Sequence, residues 1–307
     1  MQVVKAASQL SSARCKVCLA IGFFDGVHLG HQQIIRQAVA DARQHEALAL
    51  VVTFDRHPNT VVAPDRAPPL IYSMPRKLRA IEALGADRVL LIHFDKPFSE
   101  KSGEAFIREL VGDLGQAQSL CVGAGFLFGH KRTGDVPLLR RVGTELKFTV
   151  HGVAAVSLDG RAVSSTRIRE AIRLGSLDAA NQMLGRTWAL AGMVVRGDGL
   201  GQQLGFPTAN LDVAGLVLPP NGVYAVHAEA EGRRYRAVLN IGLRPTLNRP
   251  EPQQRVEAHL IDFTGDLYGR ELEITFVEKL RPEKKFGSLS ELRKQIARDI
   301  LEAQMRF

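Results

Sequence analysis

Apolar runs without polar alternation mark the first part of the chain. KVCLAI at 16–21 and ALALVVTF at 47–54 are short and nearly uninterrupted, the pattern of strands buried on both faces. Between them, Ile34, Ile35, Ala38, Val39 and Ala42 recur at helical spacing, which predicts a helix over 28–45. The same reading gives a proline-rich loop over 58–69 and a helix over 75–84, with Pro75 in its first turn and Gly85 after its end. It adds a strand over 88–94, a helix over 104–114 and strands over 119–122 and 147–156. Two short helical stretches follow within 165–184, divided near Gly175 and Ser176. Buried strands separated by helices predict an α/β domain with a Rossmann-like parallel sheet covered on both faces.

From about residue 186 the period changes to two. Tyr235, Ala237, Leu239 and Ile241 share one face of 234–241. Val256, Ala258 and Leu260 face away from Glu257 and His259, and Leu272, Ile274 and Phe276 repeat the alternation. Such strands, broken by turns rich in Gly and Pro, predict a small antiparallel β-barrel. An amphipathic helix over 289–305 closes the chain, with Ser288 or Ser290 as its cap. The boundary falls near residue 184, giving domains 1–183 and 184–307.

Composition narrows the class. The 307 residues suit about two domains, each able to bury a core. With 45% hydrophobic and 23% charged residues and a mean hydropathy of -0.04, the chain reads as soluble and globular, which excludes a disordered or collagen-like chain. No apolar run spans a bilayer, and residues 1–18 read as neither signal peptide nor anchor. Three cysteines do not make a disulfide framework, so a reducing cytoplasm is expected. Cys15 and Cys18 have CxxC spacing, but on a strand an offset of three points them to opposite faces, and they read as packing residues. The net charge of +8 lies mostly in residues 1–183 and fits phosphate-bearing ligands. No run of five basic residues and no aromatic-interleaved basic stripe points to nucleic acid.

The strongest local signal is GFFDGVHLGH at 22–31, which follows a buried strand and opens a helix. Glycines there allow sharp turns and a close approach to a ligand, and the helix start offers free N–H groups to a phosphate. His28 and His31 share one face of the first turn, where two imidazoles can stabilise charge developing on phosphate oxygens. A zinc pair would need further ligands that no nearby motif supplies. In VSSTRIR at 163–169, Ser164, Ser165 and Thr166 start a helix, while Arg167 and Arg169 add donors for a triphosphate. On the C-terminal side, Glu257 lies on the strand face opposite Val256, Ala258 and Leu260, so it can point to a cleft or to solvent; a carboxylate within reach of a hydroxyl is what general-base help to phosphoryl transfer requires.

The string His28-Leu29-Gly30-His31 resembles the HxGH signature of nucleotidylyltransferases. The longer FDGVHLGH is similar to the N-terminal module of the bifunctional riboflavin kinase/FAD synthetase family. TFDRHP at 53–58 and SSTRIR at 164–169 match further segments of that module. GFPTAN at 205–210, NIGLRPT at 240–246, EAHLIDF at 257–263, DLYG at 266–269 and RPE at 281–283 resemble the riboflavin kinase module. The resemblance implies two reactions: phosphorylation of riboflavin by ATP to FMN, then adenylylation of FMN to FAD with release of pyrophosphate. It implies Mg²⁺ as cofactor, held with ATP phosphates by Thr208 and Asn210, and Glu257 as base for the ribityl hydroxyl. It implies nucleotide or flavin contacts from Gly22, Phe24, Asp25, Gly26, Gly30, His57, Ser164, Ser165, Thr166, Arg167 and Arg169. The kinase module adds Gly197, Gly201, Asn240 and Arg281, the two glycines lying in a phosphate-covering loop within 192–201. Riboflavin, FMN, FAD and ATP are then the partners, with no nucleic acid and no membrane.

The sequence departs from the family in places. Gly125, in VGAGFLFG at 122–129, stands where Asp or Asn is usual, Leu127 where a basic or polar residue is frequent, and Arg56 where proline is common. Leu200 and Gln202 stand where basic residues are common. Gly125 motivates an alternative, a riboflavin kinase with a weakened adenylyltransferase domain. A nucleotidylyltransferase for another acceptor would leave GFPTAN without a role, and a basic regulatory protein would leave both motif sets without one.

Overall fold

The computed structural model describes residues 1–11, 16–244 and 253–307. Within them the chain divides into two compact units, Met1–Ile168 with Met183–Gly185, and Arg169–Gln182 with Arg186–Phe307.

The first unit is built on six parallel strands: β1 (Gln2–Val4), β2 (Lys16–Ile21), β3 (Leu48–Phe54), β4 (Arg88–Ile92), β5 (Gln116–Gly123) and β6 (Thr149–Val153). They lie in the order β1-β4-β3-β2-β5-β6. The order reverses direction beside β2, between β3 on one side and β5 on the other. In open α/β sheets the carboxyl ends of strands at such a reversal form the ligand crevice. Helices α1 (Leu29–His45), α2 (Met74–Glu82), α3 (Gly103–Leu114) and α4 (Val136–Leu146) connect the strands. Leu19, Ile21, Leu50, Val52, Leu120 and Val122 from the central strands pack with Ile107, Leu110, Leu139 and Val142 from α3 and α4. Each such side chain, fully buried, contributes about 1.5–3 kcal/mol.

The second unit is a closed antiparallel barrel. Its strands are β7 (Ala189–Val195), β8 (Ala209–Asp212), β9 (Gly222–Ala230), β10 (Arg233–Arg244), β11 (Gln253–Leu260) and β12 (Glu271–Arg281). They close in the order β8-β11-β10-β9-β12-β7. Val256, Ala258, Leu260, Leu239, Ile241, Leu272 and Ile274 fill the interior. The terminal helix, Leu289–Gln304, lies on the outside. Its Ala303 and Ile300 pack on Val223, Ala225 and Val238. It starts at Ser288, whose hydroxyl accepts from the Glu291 N–H. Arg281 donates twice to the buried Asp299 of this helix, at 2.8 and 2.7 Å, and so ties it to β12.

The structure departs from the sequence reading in several elements. The stretch 58–69 is not all loop: Asn59–Val62 and Pro64–Arg66 form single helical turns. The strand expected over 147–156 is limited to Thr149–Val153. Helix α4 and strands β7, β8 and β9 were not legible. β9, GVYAVHAEA, is buried on most positions because the barrel interior covers one face and the terminal helix packs on the other, and the two-residue alternation is lost. Cys15, Pro245 and Thr246 lie outside the described residues. Cys18 and Cys121 are buried free thiols.

Candidate active sites

In the first unit, the GFFDGVHLGH segment runs from the end of β2 into α1 and is almost wholly buried. Its backbone is unusual: Phe24, Gly26 and Val27 all have positive φ, at 54°, 76° and 41°. A side chain at Gly22 would meet the Phe24 ring at 2.8 Å, which explains the glycine there. The Asp25 carboxylate, 2% exposed, accepts from the Ile71 N–H at 3.0 and 3.1 Å and from the Tyr72 N–H at 3.4 Å. Asp25 therefore fixes the loop to the segment ahead of α2. The Ser165 hydroxyl donates to the Asp25 carbonyl at 3.0 Å, which brings the serine motif against the glycine loop.

His28 caps α1: its Nδ1 accepts from the His31 N–H at 3.4 Å. The two imidazoles stack at 3.5 Å with an interplanar angle of 22°, and Phe24 meets His31 edge-on at 5.3 Å. His28 is buried and His31 partly exposed. Packed in this way, the pair presents imidazole nitrogens at a helix N-terminus, a place suited to negative charge. The TFDRHP segment ends β3 alongside. His57 meets Phe23 edge-on at 4.9 Å, and its Nδ1 accepts from the Asn59 N–H at 3.1 Å.

The residue joining these two motifs was missed by sequence reasoning. Lys77 on α2 is 3% exposed. Its Nζ donates to the Phe23 carbonyl at 3.3 Å, the Phe54 carbonyl at 3.1 Å and the Thr53 hydroxyl at 3.3 Å, and it lies over the Phe23 ring at 4.6 Å. Burial pushes its ammonium down to about 8, against the pull of Asp25 and Asp55. The available signal was a lysine three and four positions before Ala80 and Ile81, on the buried face of α2.

The serine–arginine motif is only partly directed as expected. Ser164 caps the helix Ser165–Arg173, accepting from the Arg167 N–H at 3.3 Å. The Arg167 guanidinium donates to the Arg161 and Ala162 carbonyls at 2.8 and 2.9 Å. Thr166 is exposed, whereas Arg169 is buried and belongs with the second unit. Gly125 lies in an exposed turn where an added side chain would meet nothing within 4 Å.

In the second unit, strand register assembles the site. Asn210 of β8 pairs with Glu257 of β11, and Glu257 pairs with Asn240 of β10. Three polar side chains thus form one row across adjacent strands on the face opposite the barrel core. The row lines a cavity of about 560 Å³ together with Thr208, Arg255 and Arg281. Gly197 and Gly201 lie in the loop over this row. A side chain at Gly197 would collide with the Asn210 amide, and one at Gly201 would come within 2.9 Å of the Thr208 hydroxyl. His259 faces the Pro207 carbonyl at 2.8 Å and holds the GFPTAN turn. Arg281, although it lines the cavity, is engaged by Asp299. Asp198 and Arg255, an ion pair at 2.5 Å within the cavity wall, were not singled out by the sequence.

Among the described residues, no helix is long and apolar enough to cross a membrane.

Comparison with known proteins matches both units. The FAD synthetase family model covers residues 10–167, and the riboflavin kinase model covers 184–307. The bifunctional riboflavin kinase/FMN adenylyltransferase of Escherichia coli K12 is 37% identical over 100% of this chain and 98% of its own. The protein of the same description from Pseudomonas fluorescens is 38% identical over 99% of this chain and 97% of its own. A solved structure described as a macrolide-efflux protein from Streptococcus pneumoniae, 27% identical, shares the fold over 98% of both chains with a TM-score of 0.80. The two family matches and the full-length relatives above 30% identity show the family: the chain belongs to the bifunctional riboflavin kinase/FMN adenylyltransferase family.

Proposed function

We propose that this chain makes FMN and then FAD from riboflavin, in two ATP-dependent steps run by residues 184–307 and 1–183 respectively. In the first step the terminal ribityl hydroxyl attacks the γ-phosphorus of ATP, Glu257 accepts the hydroxyl proton, and ADP leaves. In the second, a phosphate oxygen of FMN attacks the α-phosphorus of ATP and pyrophosphate leaves. No covalent enzyme intermediate is required, so the protein's part is positioning and neutralisation of charge. His28 and His31, at the start of α1, would meet the developing negative charge. Gly22, Gly26 and Gly30 let the backbone approach the nucleotide. Phe24, Asp25, His57, Ser164, Ser165, Thr166 and Arg167 complete or support this site. Arg167 would do so mainly by holding a wall of this site, and Arg281 by holding a wall of the kinase cavity, since their guanidinium groups are engaged within the protein. The row Asn210–Glu257–Asn240, placed in the cavity by strand register, is the observation that carries the reading.

The kinase cavity suits Mg²⁺. Thr208 and Asn210 offer hard oxygen donors under a glycine loop with no room for side chains beside them. Among the described residues, no group of three or more His, Cys, Asp or Glu could hold a metal. A donor set of this kind fits an ion carried in largely by nucleotide phosphates. When bound, Mg²⁺ would neutralise charge on the phosphoryl oxygens. Two buried free thiols and the demand for ATP support placement in the cytoplasm.

Purified protein supplied with riboflavin, ATP and Mg²⁺ should yield FMN and FAD, separated by chromatography. Absence of both products would remove the proposal. FMN without FAD, even when FMN is supplied, would favour the kinase-only alternative that Gly125 motivates.

A further inference from the structure

The stretch over the kinase cavity, GDGLGQQLG at 197–205, contains no lysine or arginine, and Arg196 just before it lies over the Tyr268 ring at 5.9 Å and not in the cavity lining. A nucleotide binding beneath it brings several negative charges, and backbone N–H groups and a metal leave part of that charge to side chains. Among the described residues, three cationic side chains line the cavity: Arg255, Arg281 and Lys284. Arg281 is committed through two hydrogen bonds to Asp299, which is 2% exposed, so withdrawing it would strand a buried carboxylate. Lys284 lies over the Phe286 ring at 5.9 Å, outside the row of polar side chains.

Arg255 is placed differently. It sits on β11 two residues before Glu257, so both side chains project from the same face of the strand. Its guanidinium holds Asp198 of the glycine loop at 2.5 Å and lies 3.7 Å from the Glu257 carboxylate. Asp198 is half exposed, so this pair can be exchanged at little cost, unlike the pair at Arg281. Arg255 thus lies between the loop and the proposed base, within the lining of the same cavity.

On the reading given under Proposed function, we propose that Arg255 binds the phosphates of ATP in the kinase step, and that its pair with Asp198 latches the glycine loop until a phosphoryl oxygen replaces the carboxylate. Arg255 supplies from a rigid strand the charge that the loop lacks. Asp198 competes with the nucleotide for the same guanidinium.

The test uses the full chain, because adenylyl transfer from supplied FMN and ATP reports on folding in the same molecule. Arg255→Gln should raise the KM for ATP in FMN production about tenfold or more, the loss expected for one charge-assisted contact. It should leave the KM for riboflavin and the rate of adenylyl transfer nearly unchanged, and Arg255→Lys should recover part of the ATP affinity. Asp198→Asn removes the competitor and should lower the KM for ATP about threefold in the wild-type background but not beside Arg255→Gln. An unchanged KM for ATP in Arg255→Gln overturns the proposal. So does a fall in kcat with KM unchanged, which would mean that Arg255 acts only through Glu257. If Arg255→Gln fails to fold, the Asp198→Asn variant decides: an unchanged or raised KM for ATP overturns the proposal. Wild-type protein that makes no FMN would sink the kinase reading itself, a different result from either.

Discussion

The two sites solve one problem, holding nucleotide phosphates, in different ways. In the first unit the site is a contiguous segment: ten residues from the end of β2 into α1 supply the turn, both histidines and the helix start. Neighbouring elements then brace that segment through Asp25, Ser165 and Lys77. In the second unit no contiguous segment forms the site. Asn210, Asn240 and Glu257 come from three strands and meet because antiparallel register aligns them, with Thr208 one residue before β8. A site made from a loop depends on what fixes the loop, whereas a site made from register is as rigid as the barrel.

Substitutions can sharpen or break this contrast. Glu257→Gln is expected to reduce FMN production by roughly 10²–10⁴-fold, the usual range for a general base, and to leave FAD formation from supplied FMN intact. His31→Ala should do the reverse, lowering adenylyl transfer by roughly 10²–10³-fold while sparing FMN production. Both are read by chromatography of the flavin products. A variant that damages both activities equally while keeping its melting temperature would contradict two independent sites.

Lys77→Met tests the bracing of the first site. It touches neither substrate in the proposal, yet loss of its bonds to Phe23 and Phe54 should lower adenylyl transfer about tenfold through misplacement of both motifs. Kinase kinetics should not move. Its titration offers a second readout. The folded-state value, about 8, lies below the ordinary 10.5, so as pH rises from 8 towards 10.5 the native protein gives up its proton first. The unfolded chain then holds more protons, and wild type gains stability relative to Lys77→Met over that window, with no such gain below pH 8. Urea unfolding at pH 7 and pH 9.5 would measure it, and equal differences at both values would refute the assignment. The smallest effect is expected for Gly125→Asn. The turn has room for the side chain, and an added hydrogen bond should raise adenylyl transfer a few-fold. No change would clear Gly125 of any part in the rate.

Much of the first unit was legible because its elements are marked locally. β2 and β3 are buried on both faces and read as apolar runs. α1 carries helical spacing, and its start is signalled by the glycine-rich segment. α4 was missed because VPLLRRVGTEL follows a glycine-rich stretch with its Pro137 at the start, and its apolar face becomes evident only against β6 and α3. In the barrel, β10 and β11 alternate and were found, whereas β9 is covered on both sides and was not. Lys77 was hidden for a related reason, since a lysine on an amphipathic helix reads as solvated until the carbonyls that receive it are in place. Arg167 shows the converse: the motif suggested a phosphate donor, and the fold turned it to two backbone carbonyls.

Period, glycine placement and contiguous motifs are properties of neighbours along the chain, so the two kinds of architecture, the family and the segments that carry chemistry can be read without coordinates. Which polar groups meet is set by the folded arrangement. The alignment of Asn210, Glu257 and Asn240, the engagement of Arg281 by Asp299, and the placing of Arg255 between Asp198 and Glu257 depend on strand register and helix docking. Apart from Arg255 and Glu257, which share a strand, these contacts join residues 17 to 57 positions apart, and no local pattern encodes that separation.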